Sequence, residues 1–396
     1  MTSLLSADSS SSPKADNAVN KTAEYSSEVP RLVAGQLRVA IFSDSLAERN
    51  GTGAYYHDLL AHLHHQVAAV ETLQPKPRGR VNILSVPLPG DATQRLVVPN
   101  LWRVNRQMAE LRPNIIVSVT PGPFGMLGLW MARRHGCGFI SAYHTDFEGL
   151  ADLYWGPVKK RVINGFLQGI NRFISRRSGT VLVNNSDLVQ QVKRLGAPQV
   201  DIMGTPLEPG FLDAPAVPPP GALAQVCYAG RLAAEKNIDA FIKAARCHPE
   251  LNFVIGGDGP LRKVVEQAAR ELDNLDYRGW LSRDNLRELI DQSSLLVLPS
   301  HMETFGSIAL EALSRGRPAL VSENAGIHDW QQLADVLIPL RQGESVADVL
   351  DTLAAWPAER WREKAQKARQ AAITLNQQTV AQWLDVLADH ARGGRP

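Results

Sequence analysis

Two successive series of short apolar runs, each run followed by a segment of helical length, constrain this chain more than any other feature. In the first series Arg38-Val-Ala-Ile-Phe42 reads as a strand and residues 53–66 as a helix. Strand-like runs recur at 81–86, 114–119, 138–143 and 180–183, and Asp201-Ile-Met203 forms a last short one. The second series runs from Gln225-Val-Cys-Tyr228 to about residue 340. Between them, residues 205–222 hold Pro206, Pro209, Pro215 and Pro218-Pro-Pro220, a cluster that breaks helix and strand alike and reads as a linker. Alternation of this kind predicts α/β architecture with mainly parallel sheets. A length of 396 residues is that of two domains. The segmentation is a disordered leader at 1–36, a first domain at 37–204, the linker at 205–222 and a second domain at 223–375. A helical stretch at 376–396 ends the chain, the last part of a helical pattern over 358–392 that carries Trp361 and Trp383.

The apolar fraction is 44% and the charged fraction 21%, enough for real hydrophobic cores. A net charge of +2 does not suggest a nucleic-acid partner. Cys137, Cys227 and Cys247 are scattered without metal-binding or disulfide spacing, as in a reducing compartment. No apolar run approaches the roughly twenty residues that span a bilayer, and the N-terminus lacks a basic-then-apolar signal pattern. Asp8, Asp16, Glu24 and Glu28 argue against a transit peptide. The expected location is the cytoplasm.

Chemistry concentrates in Glu303-Thr-Phe-Gly306-Ser-Ile-Ala-Leu-Glu311, which follows the apolar run Leu295-Leu-Val-Leu298 and Pro299-Ser300. The order is strand, loop, helix N-terminus. Such a terminus presents unpaired N–H groups and partial positive charge to an anionic ligand. Glu303 in the loop suits sugar hydroxyls, Glu311 inside the helix suits a ribose diol, and a diphosphate fits between them. Arg231 follows Tyr228-Ala-Gly230 at a strand end, with Lys236 five residues on. Two cations there would neutralise a diphosphate, the guanidinium gripping it bidentately. In isolation, a surface salt bridge with Glu235 explains them better.

These segments resemble the retaining GT-B glycosyltransferases of family four, which use sugar-nucleotide donors. Glu303 to Glu311 resembles the family's E-x7-E element, and Gly230-Arg231-Leu232 with Glu235-Lys236-Asn237 its GRL-x-x-EKN segment. Ile255-Gly-Gly-Asp258-Gly-Pro260 resembles its GDGP turn, and Gly279-Trp280 its base-contacting turn. Residues 226–322 match this order almost continuously. The resemblance implies two Rossmann-like domains facing across a cleft, with the final helix crossing back to the first domain. It implies a donor site in which Trp280 and its neighbours hold the base and Glu311 the ribose. Arg231, Lys236, Gly230 and N–H groups near Phe305, Gly306 and Ser307 would hold the diphosphate, and Glu303 would orient the sugar. It further implies retention of anomeric configuration by a front-face path, with no cofactor beyond the donor substrate.

The first domain supplies Gly51-Thr52-Gly53 before a helix, where glycines let backbone approach a phosphate; the family has an Asn-Gly or Gly-Gly loop here, and Asn50-Gly51 fits. An ordinary helix entry explains it as well. Tyr143-His144-Thr145-Asp146 follows the run at 138–143, and a histidine at that place lies near the sugar and acceptor in relatives. The plain alternative is a satisfied loop histidine. His57, His62, His64 and His65 cluster, but no carboxylate or cysteine pattern completes a metal site, and none is expected.

Residues 158–177 make a basic amphipathic helix. Val162, Ile163, Phe166, Leu167, Ile170, Phe173 and Ile174 fall on one side. Arg161, Arg172 and Arg176 fall opposite, with Lys159, Lys160 and Arg177 at the ends. Such a helix packs its apolar face inward under a solvated basic back, rests on an anionic membrane surface, or does both, its apolar face inward and its basic face on lipid head groups. The Tyr-His-Thr segment also resembles that of family members acting on glycerolipids, which makes a lipid acceptor one expectation. Two departures stand out. Glu323-Asn-Ala-Gly326-Ile-His328-Asp329 replaces the family's Gly-Gly-x-x-Glu segment, and Gly204-Thr-Pro-Leu-Glu208 replaces its Asn-Gly-Val-Asp.

The sequence reading is therefore transfer of a hexose from a nucleotide diphosphate sugar to a hydroxyl acceptor. Two other classes stay open. A sugar-nucleotide epimerase or silent binder could use the same fold. A nicotinamide dehydrogenase would use Gly51-x-Gly53 and Glu71, 18 residues after Gly53, although Tyr56 stands at the sixth position of that fingerprint.

Overall fold

A computed structural model of the chain describes residues 31–45, 51–75, 85–88, 91–144, 157–215 and 217–392. The first half runs through β1 (Arg38–Phe42), α1 (Gly51–Leu63), β2 (Ala69–Leu73), β3 (Ser85–Leu88), β4 (Asp91–Val97), α2 (Leu101–Leu111) and β5 (Ile115–Ser118). It continues with α3 (Pro123–His135), β6 (Gly138–Ala142), α4 (Pro157–Ser175), β7 (Val181–Val183), α5 (Asp187–Leu195) and β8 (Val200–Ile202). Six of these strands form one sheet in the order β2-β1-β5-β6-β7-β8, every pair parallel. The central strands are buried throughout, as a sheet covered on both faces requires.

After α6 (Pro209–Asp213), the second half comprises β9 (Gln225–Ala229), α7 (Ile238–Cys247), β10 (Asn252–Gly256), α8 (Arg262–Glu271), β11 (Leu275–Gly279) and α9 (Arg283–Gln292). It ends with β12 (Leu295–Leu298), α10 (Ser307–Ser314), β13 (Ala319–Ser322), β14 (Leu337–Leu340), α11 (Val346–Ala354) and α12 (Ala358–His390). The second sheet has the order β11-β10-β9-β12-β13-β14 and is also parallel. Two of its helices begin at polar side-chain caps: the Ser282 hydroxyl accepts from the Asn285 amide ahead of α9, and Ser345 with Asp348 forms a capping box at α11.

Four sequence expectations change. The run at 81–86 is not a strand of the first sheet: residues 81–84 lie outside the described residues, and 85–88 pair antiparallel with β4 in a separate two-stranded ribbon. The sheet's edge is β2, whose Ala-Val-Glu-Thr-Leu carries too little apolar run to stand out. The prolines at 205–222 do not make a free spacer. Pro209 starts the short helix α6, which fully buries Phe211, and the Arg315 guanidinium donates to the carbonyls of Phe211, Ala214 and Pro215. Arg317 donates to that of Pro218, so the whole segment is tied to the second sheet's body.

The expected leader is ordered at its end. Ala34–Gln36 forms a 3-10 turn, and Arg31 pairs with Asp385 and Asp389 of α12 at 2.8 and 2.6 Å. Residues 1–30 lie outside the described residues. The helix α12 begins at Ala358 and serves both halves. Trp361, Ala368, Ala372 and Leu375 pack in the second sheet's core, whereas Trp383, Val386 and Leu387 complete the first sheet's core with Tyr55, Tyr56 and Leu59 of α1.

Candidate active site

In open parallel sheets, ligands bind beyond the carboxyl ends of the strands where the strand order reverses. In the second sheet that point lies between β9 and β12. The chain leaving β9 carries Gly230, Arg231 and Lys236, and the chain leaving β12 carries Glu303 and the N-terminus of α10. The two loops meet. Lys236 Nζ stands 2.7 Å from Glu303 Oε2, with both side chains largely buried (19% and 14% exposed). The amides of His301 and Met302 donate to the Glu235 carbonyl, and Asn237 Nδ2 donates to the Pro299 carbonyl at 3.1 Å. Lys236 closes a 3-10 turn, Ala234–Lys236, rather than opening a helix; Asn237 takes a left-handed conformation (φ 51°) between that turn and α7. Arg231 stands 3.5 Å from Glu235, so the ion pair weighed from sequence is present, yet Arg231 remains 30% exposed.

Backbone crowding holds this loop in place. The Gly257 amide donates to the Gly279 carbonyl and the Gly230 amide to the Gly256 carbonyl. A Cβ at Gly257 would sit 1.8 Å from the Gly230 carbonyl oxygen, and its φ of 135° is one that side chains disfavour. Gly306 caps α10 at φ 103°. Phe305 is buried and meets Trp330 edge-on, their ring centroids 6.3 Å apart. The amide of Ser307 is therefore the first of the helix, aimed from the same end as Lys236. Trp280 keeps its ring 59% exposed after Gly279, as a surface offering backbone and an aromatic face requires.

Glu311 lies one turn inside α10 and is buried. It is not an open carboxylate: the Arg283 guanidinium grips it at 2.7 Å and also binds Glu208 at 2.8 Å and Asp58 of α1 at 3.0 Å. Burial, reinforced by the neighbouring Asp58 and Glu208 charges, pushes the Glu311 carboxyl up to about 7, while Arg283 opposes the rise. Arg283 and Asp58 were invisible to sequence reasoning, because they lie 225 positions apart and belong to no motif.

The first-sheet residues are placed differently from expectation. Gly51 and Gly53 stand in the first turn of α1 rather than in a loop before it, Gly53 buried. Asn50, Thr145 and Asp146 lie outside the described residues. His144 is not on an open cleft wall. It is buried in an aromatic cluster, its Nε2 2.9 Å from the Tyr56 hydroxyl and its ring 5.0 Å from that of Tyr55. Among the described residues its Nδ1 has no partner. Desolvation lowers its pKa to about 4, so the ring is neutral at neutral pH.

At the first sheet's own reversal, between β1 and β5, Asp44 accepts from Thr120 Oγ1 and from the Phe124 amide, capping α3 with the protein's own carboxylate. No motif singled it out. Glu71 pairs in register with Ala40 in the middle of β2, not at the strand end where a dinucleotide's ribose would need it. Among the described residues no cluster of histidine, cysteine or carboxylate groups could hold a metal: His62 Nε2 instead contacts the Leu207 carbonyl at 2.6 Å, and His57 lies 3.5 Å from Asp58.

Contacts also cross between the halves. Asn185 Nδ2 donates to the Thr304 carbonyl at 2.7 Å, and the Ser186 amide donates to Asp329 at 2.7 Å. The departing segment 323–329 therefore keeps a carboxylate, at Asp329, that reaches the first half.

Comparison with known proteins agrees with this geometry. The family model described as glycosyl transferases group 1 matches residues 215–372, and the glycosyl transferase 4-like domain matches residues 50–207. The chain is 26% identical over 325 residues to the GDP-mannose-dependent α-(1-6)-phosphatidylinositol dimannoside mannosyltransferase of Mycobacterium tuberculosis, covering 78% of this chain and 82% of that protein. It is 32% identical over 162 residues to the α-D-kanosaminyltransferase of Streptomyces kanamyceticus, covering 38% of this chain and 42% of that one. Among solved structures, the sucrose-phosphate synthase of Thermosynechococcus elongatus superposes with a TM-score of 0.68 at 16% identity, over 89% of this chain and 98% of that one.

Proposed function

From the premise that this chain belongs to the GT-B glycosyltransferases of family four, we propose that it transfers a hexose from a nucleotide diphosphate sugar to a hydroxyl acceptor with retention. The observation that carries the reading is the Lys236–Glu303 pair at 2.7 Å at the sheet's reversal, beside Arg231 and the N-terminus of α10. It sets two cations and a helix terminus where a diphosphate leaving group accumulates charge. The base lies along Gly279 and Trp280, the ribose against Glu311, and the diphosphate between Arg231, Lys236, Gly230 and the amides of Phe305, Gly306 and Ser307. Glu303, held by Lys236, orients the sugar hydroxyls.

In the transfer the anomeric C–O bond to phosphate breaks, a bond to the acceptor oxygen forms, and the acceptor proton passes to the leaving phosphate oxygen. No protein nucleophile and no metal enters this reading. His144, neutral and with a buried Nδ1 that has no partner among the described residues, would bond a sugar or acceptor hydroxyl only once substrate binding opens its pocket. Gly51 and Gly53 bring the first turn of α1 to the other side of the donor.

The acceptor we favour is a lipid at an anionic membrane surface. Among the described residues no helix is long and apolar enough to cross a membrane. Helix α4 leaves Phe166 68% and Phe173 38% exposed, while Ile170 and Ile174 pack inward. Arg161 and Arg172 of the same helix, and Arg176 and Arg177 just after it, are exposed as well, and the Arg177 guanidinium lies over the Phe173 ring at 3.8 Å. Helices α2 and α3 cover the same face of the sheet and expose Trp102 and Trp130, the Arg134 guanidinium lying 5.2 Å from the Trp130 ring. Aromatic rings amid arginines suit a headgroup layer. The phosphatidylinositol dimannoside named for one relative is a lipid of this kind.

A thermal-shift screen with UDP, GDP, ADP, their sugar conjugates and NAD tests the donor site, since a ligand that binds only the folded state raises Tm. One nucleoside diphosphate series should shift it; a shift with NAD alone, or with none, overturns the reading. The anomeric configuration of the product, read by NMR, tests retention, and an inverted product would refute it.

A further inference from the structure

Arg283 is the third cation of the second domain's binding face, after Arg231 and Lys236, and neither a motif nor the mechanism above uses it. Its guanidinium reaches three carboxylates on three segments: Glu311 on α10, Glu208 ahead of α6 and Asp58 on α1. It is seated over the Phe211 ring, 5.1 Å from the centroid. Glu311 and Asp58 are buried, at 7% and 5% exposure, whereas Arg283 keeps 31%. A buried carboxylate beside two others would take up a proton unless a cation held it ionised. A guanidinium does this with fixed, forked geometry that a point charge lacks.

We propose that Arg283 is a positioning residue for the donor. It favours the ionised form of Glu311 against its burial, holds its Oε1 and leaves Oε2 for the ribose hydroxyls, while its third arm ties that carboxylate to Asp58 on the first half of the molecule. The proposal rests on the reading that Glu311 receives the ribose. Among the described residues the charged groups in contact within this cluster are Glu311, Glu208, Asp58 and Arg283, with His57 3.5 Å from Asp58 and Arg287 reaching the Gly210 carbonyl beside Glu208. Donor recognition through Glu311 should therefore depend on the protonation of Glu311 itself and on the Arg283 contact that opposes it.

The test compares binding of a nucleoside diphosphate, UDP or GDP as the screen selects, with its 2′-deoxy analogue, by calorimetry on the full chain. Wild-type protein should prefer the ribonucleotide about tenfold, the worth of one hydrogen bond to a charged group. Arg283→Met should weaken ribonucleotide binding and bring the preference close to one; Arg283→Lys should restore part of it. Lowering the pH should erode the wild-type preference as Glu311 takes up its proton, and in Arg283→Met the erosion should set in at higher pH. A variant that merely loosened the fold would weaken both ligands alike and leave the ratio unchanged, and that outcome overturns the proposal. So does tighter ribonucleotide binding by Arg283→Met, which would make Arg283 a competitor for the ribose place. Glu311→Gln separates the two ideas. If it keeps the wild-type preference, the ribose reading of Glu311 fails. If it loses the preference while Arg283→Met keeps it, only the role of Arg283 fails.

Discussion

Lys236 and Glu303 hold one another at 2.7 Å with little solvent access, so either substitution leaves a charge without its partner. Lys236→Ala should cost turnover about a hundredfold or more while the far-UV spectrum and the sheet cores stay intact; near-normal turnover in a steady-state assay would refute its role. His144 carries a different prediction. Its folded pKa, about 4, lies below the ordinary 6.5 because the ring is buried. A depressed histidine contributes stability that is fully present above its unfolded pKa and lost as the pH falls through the folded one. Urea unfolding should show roughly 3 kcal/mol disappearing between about pH 6.5 and pH 4, and His144→Gln should flatten that part of the profile. At this scale the sequence was legible where a residue stood in a motif at a strand end, as Arg231, Lys236 and Glu303 do. It was not legible where function depends on distant partners. The burial of His144 comes from Tyr55 and Tyr56, and the ionisation of Glu311 is favoured by Arg283 and opposed by Asp58.

Among the elements, the loop after β9 and the turn after β10 form one unit, because Gly257 lies against the Gly230 carbonyl. Gly257→Ala forces that contact apart at a φ of 135°. It should destabilise the protein by about 1–3 kcal/mol and raise the donor KM more than it lowers Tm would suggest, since the loop carries Arg231 and Lys236. Helix α4 carries the prediction for membranes. Changing Arg161, Arg172 and Arg134 to Gln should reduce sedimentation with phosphatidylglycerol-containing vesicles, and added salt should do the same to the wild type. Equal binding to neutral vesicles would remove the electrostatic argument. Parallel βα order was readable from apolar runs such as those of β1, β5 and β12, which are buried on both faces. The edge strand β2, half polar, and the ribbon of β3 and β4 were not, because an edge needs no continuous apolar run to hold its place.

For the whole molecule, the halves are joined by the residues around Gly204, by cross-contacts such as Asn185 to Thr304, and by α12. Trp383 is fully buried in the first sheet's core and donates to the Tyr55 hydroxyl, which in turn donates to the Gly204 carbonyl. Trp383→Ala should cost about 3–5 kcal/mol and split the calorimetric transition in two, the first half melting earlier; one unchanged transition would show that the halves do not depend on this helix. Because Arg315 and Arg317 bind the proline-rich segment to the second half, any movement between the halves must pivot within a few residues of Gly204 and along α12, not over a long tether. The return of α12 also bears on biosynthesis. The first half's core lacks Trp383, Val386 and Leu387 until those residues leave the ribosome, long after its sheet has been made. The lobe translated first is thus the lobe finished last, and throughout synthesis of the second it presents an uncovered apolar face to the chaperones that attend nascent chains.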